Sequence, residues 1–175
     1  MEIRDAVSSS DFAAVAALMR AFIQWHYARH ARDRHIIDSY FEPAAFEAEL
    51  DALPGEFAPP AGALLVAEAQ GRILGCVALR PLADGSCEMK RMFVDPDYHG
   101  AGAGRALAEA VIERARALGY VRMLLDTGPA QKEAQGLYRA LGFRDVAPYY
   151  DLPPLLRDWL VFMERDLIEA APTRS

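Results

Sequence analysis

Cysteine is scarce in this 175-residue chain, and the two that occur, Cys76 and Cys87, exclude a disulfide framework. Two thiols also fall short of a structural zinc site unless histidines or carboxylates complete the set. His26 and His30 stand one helical turn apart, but no third ligand accompanies them. Both cysteines lie in apolar, strand-like stretches and read as core residues. The chain is therefore expected to hold no metal and to work in a reducing, cytoplasmic setting. No apolar run approaches the roughly 20 residues of a membrane span, and the first residues lack the compact apolar stretch of a signal peptide. No membrane partner is expected. Long runs of lysine and arginine are missing too. With a formal net charge of -6, nucleic acid is disfavoured as a partner, because phosphate neutralisation supplies much of that affinity. An acidic surface steers instead toward cationic small molecules or basic peptides.

What is present fits one globular domain over residues 1–175, with 53% apolar and 25% charged residues. Ile3 to Val7 reads as a short strand. Ser8 and Asp11 then resemble a capping box, followed by Phe12, Val15, Leu18, Met19 and Phe22 at helical spacing to about His26. A second helical stretch runs from Pro43 to Leu53 and is stopped by Pro54-Gly55. Leu64–Glu68 and Ile73–Leu79 read as strands joined by a tight hairpin at Gln70-Gly71. Cys87–Val94 is another strand. The clearest helix spans Gly104 to Leu118, with Leu107, Val111, Ile112, Ala115 and Leu118 facing inward and Gly119 as its closing cap. Tyr120–Asp126 is a strand, Glu133–Leu141 a short helix, and Leu160–Met163 a last strand after the Pro153-Pro154 interruption. Ala170 to Ser175 read as a frayed tail. Hairpins in the first half and crossover helices in the second predict an α/β fold: one mixed sheet with helices on both faces.

The segment Val94-Asp95-Pro96-Asp97-Tyr98-His99-Gly100-Ala101-Gly102-Ala103-Gly104-Arg105 carries the chemistry. Three glycines at alternate positions lie between a strand and a strong helix. Glycine lets the backbone approach a ligand closely, and the first helical amides have no internal partner, so the junction suits a pyrophosphate. A nucleotide-hydrolysing loop would need Gly-Lys-Ser/Thr, whereas Arg105-Ala106 follows Gly104. A dinucleotide fold would place its glycines after the first strand. A glycine-rich turn without a ligand is the remaining alternative.

Val94 to Leu107 resembles motif A of the GNAT N-acetyltransferases, whose loop has the form Q/R-x-x-G-x-G/A. His99-Gly100-Ala101-Gly102-Ala103-Gly104 matches it, with His99 in place of the usual Gln or Arg. Leu137-Tyr138-Arg139-Ala140-Leu141-Gly142-Phe143 is similar to motif B. The resemblance implies the GNAT acyltransferase fold, a mixed and mostly antiparallel sheet whose fourth and fifth strands splay apart around acetyl-CoA. It implies an acetyl-CoA-binding core over residues 88–143 and a helical acceptor-side region over residues 1–62. Main-chain groups of Met92, Phe93 and Val94 would meet the pantetheine arm. Amides between His99 and Arg105, hence Gly100, Ala101, Gly102, Ala103 and Gly104, would hold the pyrophosphate. The Arg105 side chain either adds charge there or faces solvent. Many relatives place an Asn after the fifth strand, where this chain has Thr127 to Glu133; Lys132 is a candidate phosphate contact, and Asp126 either a loop cap or a ligand.

Acetyl transfer to an amine needs an acid for the leaving thiolate and a base for the ammonium. By resemblance Tyr138 is the acid, with a packed aromatic as the alternative. Glu88 is the candidate base, with pairing to Lys90 or plain solvation as alternatives. Strand alternation puts Glu88, Lys90 and Met92 on one face and Cys87, Met89, Arg91 and Phe93 on the other. Cys87 as an acyl-carrying nucleophile is disfavoured, because such enzymes generally use direct attack. Trp25, His26, Tyr27, His30, His35, Tyr40, Tyr149 and Tyr150 are candidate walls for the acceptor, an amine-bearing small molecule or peptide. The resemblance also makes a homodimer a common assembly. Use of another acyl-CoA, or acetyl-CoA binding without chemistry as a sensor, stands as the alternative function.

Overall fold

The computed structural model describes residues 1–168; the tail from Ala170 to Ser175 lies outside them. Strand β1 (Glu2–Asp5) leads into α1 (Ser9–Arg29), which starts at the expected capping box. Ser8 Oγ accepts from the Asp11 amide at 3.1 Å, and the Asp11 carboxylate accepts from the Ser8 amide at 3.0 Å. Helices α2 (Arg34–Tyr40) and α3 (Pro43–Asp51) follow. The hairpin of β2 (Ala63–Ala69) and β3 (Arg72–Pro81) turns on Gln70 and Gly71, both at positive φ, as a two-residue turn between twisted strands requires. Then come β4 (Ser86–Val94), α4 (Ala103–Ala117), β5 (Arg122–Thr127), α5 (Lys132–Ala140), β6 (Arg144–Asp145), α6 (Pro154–Trp159) and β7 (Val161–Asp166).

Two of these helices were not expected from sequence. Pro153-Pro154 reads as a break, yet Pro154 occupies the first turn of α6, where a missing N–H costs nothing. Helix α2 has no side-chain cap and is short. Burial of Ile36 beside Leu156 of α6, and of Ile37 in the main α1 cluster, holds it in place.

The seven strands form one sheet in the order β1-β2-β3-β4-β5-β7-β6. All neighbours are antiparallel except β4 and β5, which run parallel and pair only through Ser86–Glu88 against Arg122–Leu124. Past that point β5 stays with β7 and leaves β4, so one edge of β4 opens. This is the mixed, mostly antiparallel sheet with splayed central strands that the sequence predicts. Helix α4 packs Leu107, Val111, Ile112 and Ala115 on one face against Leu79, Met123 and Leu125. On the other face α1 and α3 pack Val15, Met19, Phe46 and Leu50 against Val66, Cys76 and Ala78. Leu118 is not inward as expected but 38% exposed, because it caps α4 and Gly119, at φ 83°, turns the chain away. No helix among the described residues is long and apolar enough to cross a membrane.

Simple alternation along β4 fails at Arg91. The register against β3 shifts between Cys76 and Ala78, and Arg91 adopts φ 54°. This bulge moves Met92 to the α4 face with Cys87 and Met89, and Phe93 to the α1 face. Met92 therefore does not share a face with Glu88. A left-handed non-glycine residue costs about 1–2 kcal/mol. Two 2.8 Å bonds from the Arg91 guanidinium to Glu49 of α3, each to a charged partner and worth about 1.5–3 kcal/mol, offset that cost. The ring faces of Phe41 and Phe46 add cation–π contact at 5.1 and 5.4 Å.

Candidate active site

Where β4 and β5 part, the surface opens into a groove of about 480 Å³. Its floor is Met92, Phe93 and Val94, one end is the glycine loop, and Trp25 and Arg29 of α1 overhang it. Gly100 and Gly102 both take left-handed φ, 84° and 82°, and Gly102 is the N-cap of α4. Nothing lies within 4 Å of a Cβ added at either, so backbone conformation and not crowding demands glycine there. The amides of Ala103, Gly104 and Arg105 find no backbone acceptor among the described residues and sit at the positive end of the helix dipole. The groove gathers Met92, Phe93, Val94, His99, Gly100, Gly102, Ala103, Gly104 and Arg105. Ala101 is exposed and stays outside its wall, as does Lys132. His99 Nε2 donates to the Val94 carbonyl at 3.0 Å, so that acceptor of the β4 edge is already engaged. Arg105 is exposed and pairs with Glu109 at 3.2 Å.

Behind the groove lies a smaller cavity of about 60 Å³, and the two share Phe22, Met92 and Gln131. Tyr138 is buried in its wall, its ring against Phe143 with centroids 5.8 Å apart. The Tyr138 hydroxyl has no hydrogen-bond partner among the described residues. Burial first, and the charge of Asp126 second, push its pKa well above the ordinary phenol value, so it is a protonated phenol at neutral pH. Asp126, at the end of β5, faces the same cavity. Its Oδ1 accepts from Tyr40 at 2.7 Å and its Oδ2 from Tyr150 at 2.7 Å, partners 86 and 24 residues away. Lys90, from β4, also lines the cavity, with its ammonium 5.8 Å from the Tyr40 ring centre.

Glu88 lines neither the groove nor the cavity. It is 1% exposed, accepts from Arg80 Nε at 2.6 Å and from the Tyr149 hydroxyl at 2.5 Å, and does not pair with Lys90. The bulge-free start of β4 turns it under the Tyr149–Tyr150 pair, whose rings are 5.1 Å apart. Glu88 anchors the Tyr149 hydroxyl through its hydrogen bond. Breaking a buried ion pair from one side costs about 3–5 kcal/mol. Arg80 keeps Glu56 at 2.8 Å, so Glu88→Gln is expected to lower stability by about 3 kcal/mol in urea denaturation. Unchanged stability with abolished turnover would restore Glu88 as a base.

The loop after β5 is pinned from within. Gln131 Oε1 accepts from Thr127 Oγ1 at 2.8 Å and from the Gly128 amide at 2.5 Å, and Gln135 donates to the Gly128 carbonyl at 2.9 Å. His30 Nε2 accepts from the Ala130 amide at 3.2 Å, and a Cβ on Gly128 would come within 3.0 Å of that ring. Burial holds His26 down to about 3, so the stacked His26–His30 pair carries no charge from His26 at neutral pH. Among the described residues no group of three His, Cys, Asp or Glu side chains could hold a metal. Burial pushes the Cys87 thiol up to about 12, which makes it a poor nucleophile. Gln131, bridging groove and cavity, is a site residue that sequence did not single out; Asp126, Tyr40 and Tyr150 were each candidates, but not as one hydrogen-bonded group. Only spatial proximity reveals them.

The acetyltransferase (GNAT) family model matches residues 30–143, a span that ends at Phe143 of the second motif. An IAA acetyltransferase of Azospirillum brasilense is 37% identical over 138 residues, 77% of this chain and 85% of its own length. An uncharacterised N-acetyltransferase of Schizosaccharomyces pombe is 41% identical over 100 residues, 56% of this chain and 61% of its own. The chain thus spans less than two thirds of that relative. Among solved structures, the PaiA N-acetyltransferase of Thermoplasma acidophilum, in complex with coenzyme A, matches with a TM-score of 0.73 over 95% of this chain and 99% of that one. At 20% identity that is a likeness of fold.

Proposed function

This chain belongs to the GNAT acetyltransferase family, and from that premise we propose that it moves an acetyl group from acetyl-CoA to a primary amine of a small molecule or peptide. One observation carries the reading: a groove with a helix N-terminus at its far end runs into a smaller cavity holding an unpartnered phenol and a carboxylate. In this reading residues 88–143 bind the donor, residues 1–62 build the acceptor side, and both buried thiols stay reduced in the cytoplasm. The glycine-loop amides take the pyrophosphate, and Gln131 stands where the acyl arm passes from groove to cavity. The cavity that receives the acyl end measures about 60 Å³ and is continuous with the groove through Phe22, Met92 and Gln131.

The chemistry then needs three things of this chain. Asp126 holds the ammonium and takes its proton. The freed nitrogen attacks the thioester carbon, forming C–N as C–S breaks. Tyr138 gives its proton to the departing thiolate and takes up the second proton that the attacking nitrogen sheds as the amide forms, while Asp126 returns the first to solvent. Burial raises the proton affinity of a thiolate as well as of a phenolate, which works against the mismatch set up by the raised Tyr138 pKa. Steady-state kinetics test the Asp126 step. Asp126→Asn is expected to lower kcat/KM for an amine at neutral pH by at least about tenfold, with acetyl-CoA affinity retained. Equal kcat/KM in the variant would remove Asp126 from the reaction.

A further inference from the structure

The cavity behind the groove carries two opposite charges, Lys90 and Asp126, that no ion pair joins. Lys90 is one of only two lysines in the chain. Its cationic neighbours are committed: Arg80 to Glu88 and Glu56, and Arg91 to Glu49. Lys90 itself makes no ion pair and no side-chain hydrogen bond among the described residues, although it is only partly exposed and lines the cavity. Burial lowers its pKa, and the charges of Glu88 and Asp126 act in the opposite sense. Its ammonium lies 5.8 Å from the Tyr40 ring centre at the accessible cavity, where no protein side chain among the described residues takes its three N–H donors and a ligand can. Asp126 faces the same space. Each of its oxygens accepts one phenol, and a carboxylate oxygen has a second lone pair to offer an incoming ammonium.

We propose that the acceptor is an amine that also bears a carboxylate on the neighbouring carbon, an α-amino acid or close relative, with its ammonium on Asp126 and its carboxylate on Lys90. This rests on the acetyl-transfer reading above. The chemistry favours a carboxylate over a phosphate. The nearby arginines, whose forked donors suit phosphate, are already engaged. Lys90 is thus a specificity-determining residue for the acceptor.

Matched acceptors test it: glycine against methylamine, alanine against ethylamine, phenylalanine against phenethylamine, each with acetyl-CoA and a thiol readout. A charge-assisted contact to a half-buried cation is expected to favour the amino acid in kcat/KM by about 10- to 100-fold. Lys90→Gln is expected to compress that ratio about tenfold or more, and Lys90→Arg to keep most of it. A ratio near one in the unaltered protein, or a ratio that Lys90→Gln leaves as it was, overturns the proposal. Absence of turnover with both members of every pair counts against acetyl transfer instead. Binding of the same acceptors to the coenzyme A complex, followed by fluorescence of Trp159 in the cavity wall, then decides the site separately. Tighter glycine than methylamine binding that Lys90→Gln abolishes supports it, and equal binding overturns it.

Discussion

Tyr138→Phe is expected to lower kcat by about 10²–10³-fold, within the range of general acid catalysis, and to leave acetyl-CoA affinity within about twofold. The argument is one of isolation. The Tyr138 ring packs against Phe143 and its hydroxyl bonds to no described residue, so the substitution removes a proton donor and little else. Stability should change by less than about 0.5 kcal/mol, as for changes that touch no core contact. Stopped-flow kinetics and calorimetric titration with acetyl-CoA separate the two effects. If Tyr138 is only a packed aromatic, kcat survives the loss of the oxygen. If it only grips the donor, affinity falls with kcat. Either result removes the acid from the mechanism.

Gly102→Glu is expected to weaken acetyl-CoA binding by about 10²–10³-fold while the circular dichroism spectrum stays that of the parent. Two costs add. A side chain at φ 82° is strained by about 1–2 kcal/mol, which the free loop relieves by relaxing out of the conformation that binds and which binding must restore. A carboxylate at the N-terminus of α4 also competes with, and repels, a pyrophosphate at the same amides. Each 1.4 kcal/mol is tenfold in affinity, so these together reach the expected loss. The fold is spared because an added Cβ meets no atom within 4 Å. Gly102→Ala carries the strain without the charge and should lose only about tenfold. Calorimetry on both variants separates the terms, and unaltered binding in Gly102→Glu would place the pyrophosphate elsewhere.

Local physics was legible in the sequence. The Ser8–Asp11 capping box, the Gln70-Gly71 hairpin and the glycine loop before α4 are each set by residues within a few positions of one another, and each stands where expected. The sheet with splayed central strands followed from the order of elements and the two family motifs. Features set by distant partners were not legible. The bulge at Arg91 depends on Glu49 and the rings of Phe41 and Phe46, which come from other elements, and it reverses the face assigned to Met92. Alternation alone cannot detect an inserted residue. Glu88 reads from sequence as a base, a partner of Lys90 or a solvated carboxylate, and the contacts with Arg80 and Tyr149 come from distant elements. Asp126 reads as a loop cap or a ligand, and only folding brings Tyr40 and Tyr150 onto its two oxygens. The Pro153-Pro154 pair, which reads as an interruption, carried a helix start that the packing of Leu156 holds in place.

Release of free CoA thiol from acetyl-CoA, measured across amines, amino acids and short peptides with the acetylated product identified by mass spectrometry, tests the central claim most directly. Acetyl transfer at the Asp126–Tyr138 cavity predicts amine-dependent release well above the rate without acceptor, with one acetylated amine formed per thiol. Firm binding of acetyl-CoA, with release no faster than hydrolysis across that whole range, would contradict it and leave a protein that holds the donor without using it.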